Sequence, residues 1–355
     1  MAIQKNTILE FINSPVNYLL FDVRSPAEFE HAHIPGAHSL PLFDNEQRAI
    51  VGTTYKKQSR EDAIKVALPF FGEKMKQMIE VVEKLSSEFE KQNNQKPNLI
   101  VHCWRGGMRS AAVAWLLDLY GFKVIQLQGG YKAYRNWVTD KCTQPLSLKV
   151  LGGYTGSGKT EILQALAEKG NAVIDLEGLA KHKGSSFGAL GQGVQPSQEM
   201  FENLLSNAIL EQEKKGMTIW VEDESQRIGT VMIPTSFFSQ LKNSTCYFMR
   251  IPFEARLSFI VLQYGNFSKS DLMDATHRIQ KRLGGLETKN AIQAIQEGDL
   301  QNAFSILLKY YDKWYNKFFK LEKNNENGEV VLKNIEWIDA HKVDPFSNAK
   351  LLVNL

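Results

Sequence analysis

The stretch Gly153-Tyr-Thr-Gly156-Ser-Gly158-Lys159-Thr160 fits G-x-x-x-x-G-K-[ST], and no other feature limits the folding of this chain as strongly. It follows an apolar run, Leu148 to Leu151, and precedes a helical pattern from about Lys159 to Lys169. A strand, a glycine-rich loop and a helix in that order present a ring of backbone N–H donors that suits phosphate oxygens. Gly153, Thr155, Gly156, Ser157 and Gly158 belong to that expected ring, with Lys159 as a point charge and Thr160 as a candidate Mg²⁺ ligand. The motif asks for a polyphosphate but selects no base, and diphosphate esters of other alcohols satisfy the same donors. Glu222 and Asp223 end an apolar strand, 218–222. They read either as acidic support for a metal or as a solvated strand end. Arg227, just beyond, is expected to reach the phosphates.

The rest of the chain alternates in the same way. Strands are expected at 19–23, 99–101, 123–127, 172–175 and 246–250, with helices over 73–91, 110–120 and around 201–209. Beyond Pro252 the pattern is mainly helical to about Leu321. Strands alternating with helices predict parallel α/β sheets, and Thr143-Gln-Pro145 reads as a linker. The expected architecture is an α/β domain over 1–142 and a phosphate-loop α/β domain with a helical C-terminal region over 143–355.

Composition narrows the function classes. The 42 Lys+Arg nearly balance the 39 Asp+Glu, so a nucleic-acid partner must be held by a local patch and not by bulk charge. The three cysteines are widely spaced and odd in number, against a disulfide scaffold or a cysteine-rich zinc module. No run approaches the roughly 18 apolar residues of a membrane span, and the start lacks the pattern of a secretion signal. A cytoplasmic protein is expected.

A second chemical constellation lies at His102-Cys103-Trp104-Arg105-Gly106-Gly107-Met108-Arg109-Ser110, again between a strand and a helix. A cysteine at the start of such a loop faces inward-pointing amides and a helix N-terminus, which favour a thiolate nucleophile. Gly106 and Gly107 permit positive φ, and Arg105 and Arg109 are suited to holding an oxyanion by forked hydrogen bonds. Cys142 and Cys246 read as buried small hydrophobes. A weaker pattern sets Lys309, Lys313, Lys317 and Lys320 against Tyr310, Tyr311, Trp314, Tyr315, Phe318 and Phe319. An amphipathic helix with aromatics inward is the favoured reading, with RNA contact as the other.

Asp22-Val-Arg24-Ser-Pro-Ala-Glu28-Phe-Glu30, then His33-Ile-Pro-Gly36-Ala, resembles the entry motifs of a rhodanese domain, which the Cys103 loop and Gly129-Gly130-Tyr131 continue. Five residues separate Cys103 from Arg109, one more than in many sulfur-transferring loops and the spacing of cysteine phosphatases. The wider cradle suits a phosphate-sized group. With the phosphate loop, Gly184-Ser-Ser-Phe-Gly188 and Glu222-Asp-Glu-Ser-Gln-Arg227, the whole chain resembles the tRNA 2-selenouridine synthases.

That resemblance implies replacement of sulfur by selenium in wobble 2-thiouridine of tRNAs for Lys, Glu and Gln, contacted at the anticodon arm. It implies selenophosphate as donor and an S-geranyl intermediate made from geranyl diphosphate. Cys103 is then the catalytic residue, with Arg105, Gly106, Gly107, Arg109 and Ser110 around the selenophosphate group. The phosphate loop is assigned to the diphosphate. No tightly bound cofactor is expected, and a need for Mg²⁺ stays open. Two rivals remain: a cysteine-dependent sulfurtransferase or phosphatase fused to an ATP-using kinase-like domain, and a non-catalytic nucleotide sensor.

Overall fold

The computed structural model describes residues 3–14, 17–322 and 334–353, with 317–322 described by their backbone alone. The chain divides into two compact units, 1–141 and 142–355.

In the first unit the strands are β1 (Gln4–Asn6), β2 (Tyr18–Asp22), β3 (His38–Ser39), β4 (Asn98–His102) and β5 (Val124–Leu127). They form a parallel sheet in the order β1-β5-β4-β2-β3. Leu19, Phe21, Leu99 and Val101 are buried against Val113 and Leu117 of the Met108–Tyr120 helix and Met78 and Val82 of the Arg60–Asn93 helix. That second helix starts earlier than the 73–91 spacing predicts and runs through Pro69. Ser59 caps its start by accepting from Asp62 N, Glu61 and Asp62 oppose the positive end of the dipole, and the cost at Pro69 is one backbone hydrogen bond.

The second unit holds β6 (Leu148–Gly153), β7 (Ala172–Ile174), β8 (Ile219–Glu222), the antiparallel pair β9 (Arg227–Ile228) and β10 (Val231–Met232), β11 (Thr245–Arg250) and β12 (Ile335–Asp339). Its main sheet is parallel, ordered β12-β11-β6-β8-β7. Both faces are covered. Val150, Val221, Cys246 and Phe248 join one core, while Leu151, Trp220, Tyr247 and Met249 pack on Ile162 and Leu166 in another. Burial on both faces explains the continuous apolar runs. Cys142 lies in the first of these cores.

The helical region expected from Pro252 to about Leu321 is present. Helices Phe253–Tyr264, Lys269–Arg278, Gly285–Glu297 and Leu300–Glu322 do cluster around Leu257, Ile260, Ile295, Phe304 and Leu307. The chain then returns to the sheet as β12, and the Pro345–Leu352 helix packs Ala349 and Leu352 beside Ile162 and Leu166. As an edge strand, β12 half-buries only Ile335 and Ile338, so its alternation is too weak to read. Among the described residues no helix is long and apolar enough to cross a membrane.

Candidate functional site

Both constellations sit where central strands end. The Cys103 loop follows β4, flanked by β5 and β2, and the phosphate loop follows β6, flanked by β11 and β8. In parallel α/β sheets such crevices, between strands whose connections diverge, are where ligands bind.

Cys103 is 4% exposed, and its Sγ lies 3.3 Å from Ser110 Oγ. The loop ends at the Met108–Tyr120 helix, whose N-cap, Gly107, supplies no side-chain cap. Among the described residues the amides of Arg105, Gly106 and Gly107 have no protein acceptor. The turn after β5 fixes this loop, Tyr131 N donating to Cys103 O at 2.9 Å and Lys132 N to Trp104 O at 2.8 Å. Of the two loop glycines only Gly106 uses positive φ (62°), and a Cβ there would lie 2.5 Å from Leu127 O. Gly107 has φ −97°. A Cβ on Gly130 would collide with Cys103 O and Gly106 N.

The two arginines differ from the expected pair of anion holders. Arg105 is exposed, and its guanidinium makes no ion pair or hydrogen bond among the described residues. Arg109 donates to Glu28 Oε2 at 2.9 Å. Burial pushes the Glu28 carboxyl up, but the hydrogen bond and charge of Arg109 outweigh it and hold Glu28 below the usual carboxylate range. Alongside, Arg24 binds Asp22 with its closest contact at 2.6 Å, donates to Ala32 O at 2.7 Å and lies 3.8 Å over the Tyr131 ring. His102 is fully buried, with Nε2 3.8 Å from Asp22. Burial lowers its pKa, so the imidazole is neutral at pH 7.

In the second unit Thr155, Gly156, Ser157, Gly158, Lys159 and Thr160 line a cavity of about 670 Å³. Gly153 is buried behind the loop against Ser157, whose Oγ has no partner among the described residues. Burial opposes the charge of Lys159, yet Tyr315, Glu224, Glu177 and Asp223 outweigh it and raise its pKa. Thr160 Oγ1 donates to Glu177 Oε2 at 2.9 Å. Burial, then the charge of Glu177, pushes Glu224 up to about 8. The remaining wall is mixed: Phe238, Phe259, Ile260, Tyr264, Tyr311, Trp314 and Tyr315 supply aromatic and apolar surface, while Lys183, Ser185, Gln226, Lys242 and Gln263 add polar groups.

Three expected residues are placed otherwise. Glu222 is 1% exposed, accepts from Glu177 N at 2.7 Å, and is pushed well above the carboxylate range by burial and by Asp175 and Glu177. Asp223 lines the cavity but is paired with Lys242 at 2.7 Å. Arg227 does not line it, because the β9–β10 hairpin turns its guanidinium outward to Gly229 O at 3.2 Å. Among the described residues no three His, Cys, Asp or Glu side chains gather to hold a metal.

Sequence reading missed Glu177, Glu224 and Arg256. Arg256 is 3% exposed, donates to Thr155 O at 3.0 Å and grips Asp312 at 2.9 and 2.7 Å, tying the loop to the Leu300–Glu322 helix. Part of the aromatic stripe of that helix lines the cavity: Tyr311, Trp314 and Tyr315 border it, with Trp314 half exposed, while Lys309 and Lys313 are exposed. The side chains of Lys317, Phe318, Phe319 and Lys320 lie outside the described residues. The i, i+3, i+4 spacing of Tyr311, Trp314 and Tyr315 was the available signal.

The family described as the tRNA 2-selenouridine synthase AAA domain matches residues 146–338, and the rhodanese-like domain matches 8–136. A protein of Hydrogenovibrio crunogenus named tRNA 2-selenouridine synthase is 34% identical over 84% of this chain and 88% of its own. A relative of the same name from Nitrosomonas europaea is 38% identical over 69% of this chain and 63% of its own. One from Shewanella woodyi is 32% identical over 96% and 98%.

Proposed function

The chain belongs to the tRNA 2-selenouridine synthase family, and from that premise we propose that it converts wobble 2-thiouridine of tRNA to 2-selenouridine in two half-reactions. Geranyl diphosphate alkylates the sulfur, and selenium from selenophosphate then displaces the S-geranyl group. The tRNAs for Lys, Glu and Gln are the substrates, read at the anticodon arm, in the cytoplasm.

The observation that carries the first half-reaction is the pairing of a phosphate loop with an aromatic wall in one cavity. A nucleotide asks for polar groups that read a base, whereas an allylic diphosphate asks for anion donors at one end and apolar surface at the other. In this reading Lys159, Thr160 and the loop amides hold the diphosphate. The thiocarbonyl sulfur attacks C1 of the geranyl group, the C1–O bond breaks, diphosphate leaves with the electron pair, and the uracil N3 proton passes to water. Fixed donors aimed at the departing oxygens stabilise that charge. Alkylation also turns a poor leaving group into a thiolate leaving group, opening C2 to attack.

The second half-reaction is assigned to the Cys103 loop. Cys103 helps to position selenophosphate, the amides of Arg105, Gly106 and Gly107 face its oxygens, and Arg105 supplies charge. The selenium of selenophosphate attacks C2, the C2–S bond breaks as geranylthiolate leaves, and water then cleaves the P–Se bond to release inorganic phosphate. Arg109 contributes once it leaves Glu28. No step is routed through Mg²⁺: Thr160 Oγ1 is engaged by Glu177, Asp223 is paired with Lys242, and among the described residues no three His, Cys, Asp or Glu side chains gather as a ligand set.

Calorimetric titration of the full chain with geranyl diphosphate and with ATP tests the division. The proposal expects geranyl diphosphate to bind tightly and ATP no better than inorganic diphosphate. Base-selective nucleotide binding with turnover would favour the kinase-like rival.

A further inference from the structure

Gln126 is the polar residue of β5, between Ile125 and Leu127, and is 3% exposed. A polar side chain at such a position must find partners or destabilise the fold. Its Nε2 reaches Gly106 O at 2.9 Å, Gly107 O at 3.3 Å and Ser110 Oγ at 2.8 Å. Two of those three neighbours are carbonyl oxygens, which only accept. The amide nitrogen must therefore face the loop, which fixes the side-chain orientation by chemistry.

That orientation decides what the Ser110 hydroxyl can do. One Gln126 hydrogen points at Ser110 Oγ, so the serine accepts there and keeps its own proton to give. The two candidate acceptors are Gly107 O at 3.1 Å and Cys103 Sγ at 3.3 Å. While the sulfur is a thiol, S–H can donate to Ser110 and the hydroxyl rests on Gly107 O. When the thiol proton has passed to water and the sulfur is anionic, the hydroxyl can turn to it. Gly107 O is not orphaned by this turn, because it also accepts from Ala111 N at 3.0 Å, and the second Gln126 hydrogen, shared with Gly106 O, stays within 3.3 Å. A buried acceptor left unpaired would otherwise oppose the rotation.

We propose that Gln126 is a positioning residue for Cys103: its hydrogen bond fixes Ser110 as an acceptor, so that the Ser110 hydroxyl proton, released from a Gly107 O that Ala111 N keeps paired, is free to stabilise the anionic sulfur. The proposal rests on Cys103 being the residue that carries the chemistry of this loop. It adds a residue from a neighbouring strand, outside the Cys103–Ser110 segment, to the machinery of that thiol.

The test is the rate of Cys103 alkylation by iodoacetamide in the full chain, followed by peptide mass spectrometry across pH. Gln126→Met is expected to slow alkylation at about pH 7 by about fivefold, the worth of one net hydrogen bond. The rate at about pH 10, where an ordinary thiol is largely ionised, stays unchanged. Ser110→Ala does the same, Ser110→Thr retains the wild-type rate, and the Gln126→Met/Ser110→Ala double variant is no slower than either single one. A folded Gln126→Met protein alkylated at the wild-type rate near pH 7, or a double variant with additive losses, overturns the proposal. If Gln126→Met does not fold, a wild-type rate in Ser110→Ala overturns it equally. Because alkylation uses no substrate, failure of the Cys103 assignment reads out separately, as selenation of tRNA surviving in Cys103→Ser.

Discussion

Arg109 Nη1 donates to Glu28 Oε2 at 2.9 Å, so the arginine that closes the cysteine loop is held by a carboxylate from the Pro26–His31 helix. The contact joins the two motifs that define the N-terminal unit, Asp22–Glu30 and Cys103–Ser110. An oxyanion arriving at the loop amides must compete with Glu28 for the guanidinium. Glu28 thereby sets how tightly the loop holds a tetrahedral anion.

Replacing Glu28 by Gln should free Arg109. Protection of Cys103 from alkylation by inorganic phosphate is then expected at concentrations about tenfold lower, as for a gained charge-assisted hydrogen bond. The sign of the pH effect follows from the lowered Glu28 pKa. Its pairing stabilises the fold above the ordinary glutamate range and is lost as pH falls through the lowered value. The wild-type advantage in melting temperature over Glu28→Gln should shrink in that acid window, and an advantage that grows there would contradict the account.

Lys159→Ala removes the charge at the centre of the phosphate loop. Geranyl transfer should fall by about a hundredfold or more, while selenation of RNA already carrying S-geranyl-2-thiouridine survives. Assaying the two half-reactions separately checks this, and equal loss of both would break the division of labour.

Glu224 gives a pH dependence of its own. Its value near 8 lies above that of an unfolded glutamate, so the folded state favours the neutral acid. That contribution is fully present below the unfolded carboxyl range and is lost as pH rises through about 8. Ionisation also puts negative charge beside the proposed diphosphate. Affinity for geranyl diphosphate should weaken above that pH in the wild type and stay level in Glu224→Gln. A pH-independent wild-type affinity would count against a diphosphate beside Glu224.

Arg256→Met leaves Asp312 without its partner and frees Thr155 O. Breaking such a pair costs about 3–5 kcal/mol, visible as a lower melting transition by calorimetry. Arg256→Lys should recover only part, because an ammonium cannot match the two-oxygen grip. Full stability in Arg256→Met would show that the loop needs no such brace.

The parts of this fold that were legible from sequence are those with local causes. Apolar runs such as Ile219–Val221 and glycine-rich loops before helices mark both parallel sheets and both crevices. The residues that complete the sites come from elsewhere in the chain. Glu28 meets Arg109, Gln126 meets Ser110, and Arg256 meets Thr155 only after folding. Arg227 was misplaced because closeness in sequence to Glu222 says nothing about a hairpin that turns outward. β12 was missed because an exposed edge strand carries little periodicity. The aromatic stripe reads from sequence as an inward helix face, yet Trp314 is about half exposed, and only the packed helices reveal that Tyr311, Trp314 and Tyr315 border a cavity.

The most direct test of the central claim is mass spectrometry of nucleosides from a 2-thiouridine-containing anticodon stem-loop. The RNA is incubated with the full chain, geranyl diphosphate and selenophosphate, with parallel reactions omitting each donor. The account predicts 2-selenouridine when both are present and S-geranyl-2-thiouridine when selenophosphate is left out. Unchanged 2-thiouridine from demonstrably folded protein would contradict it.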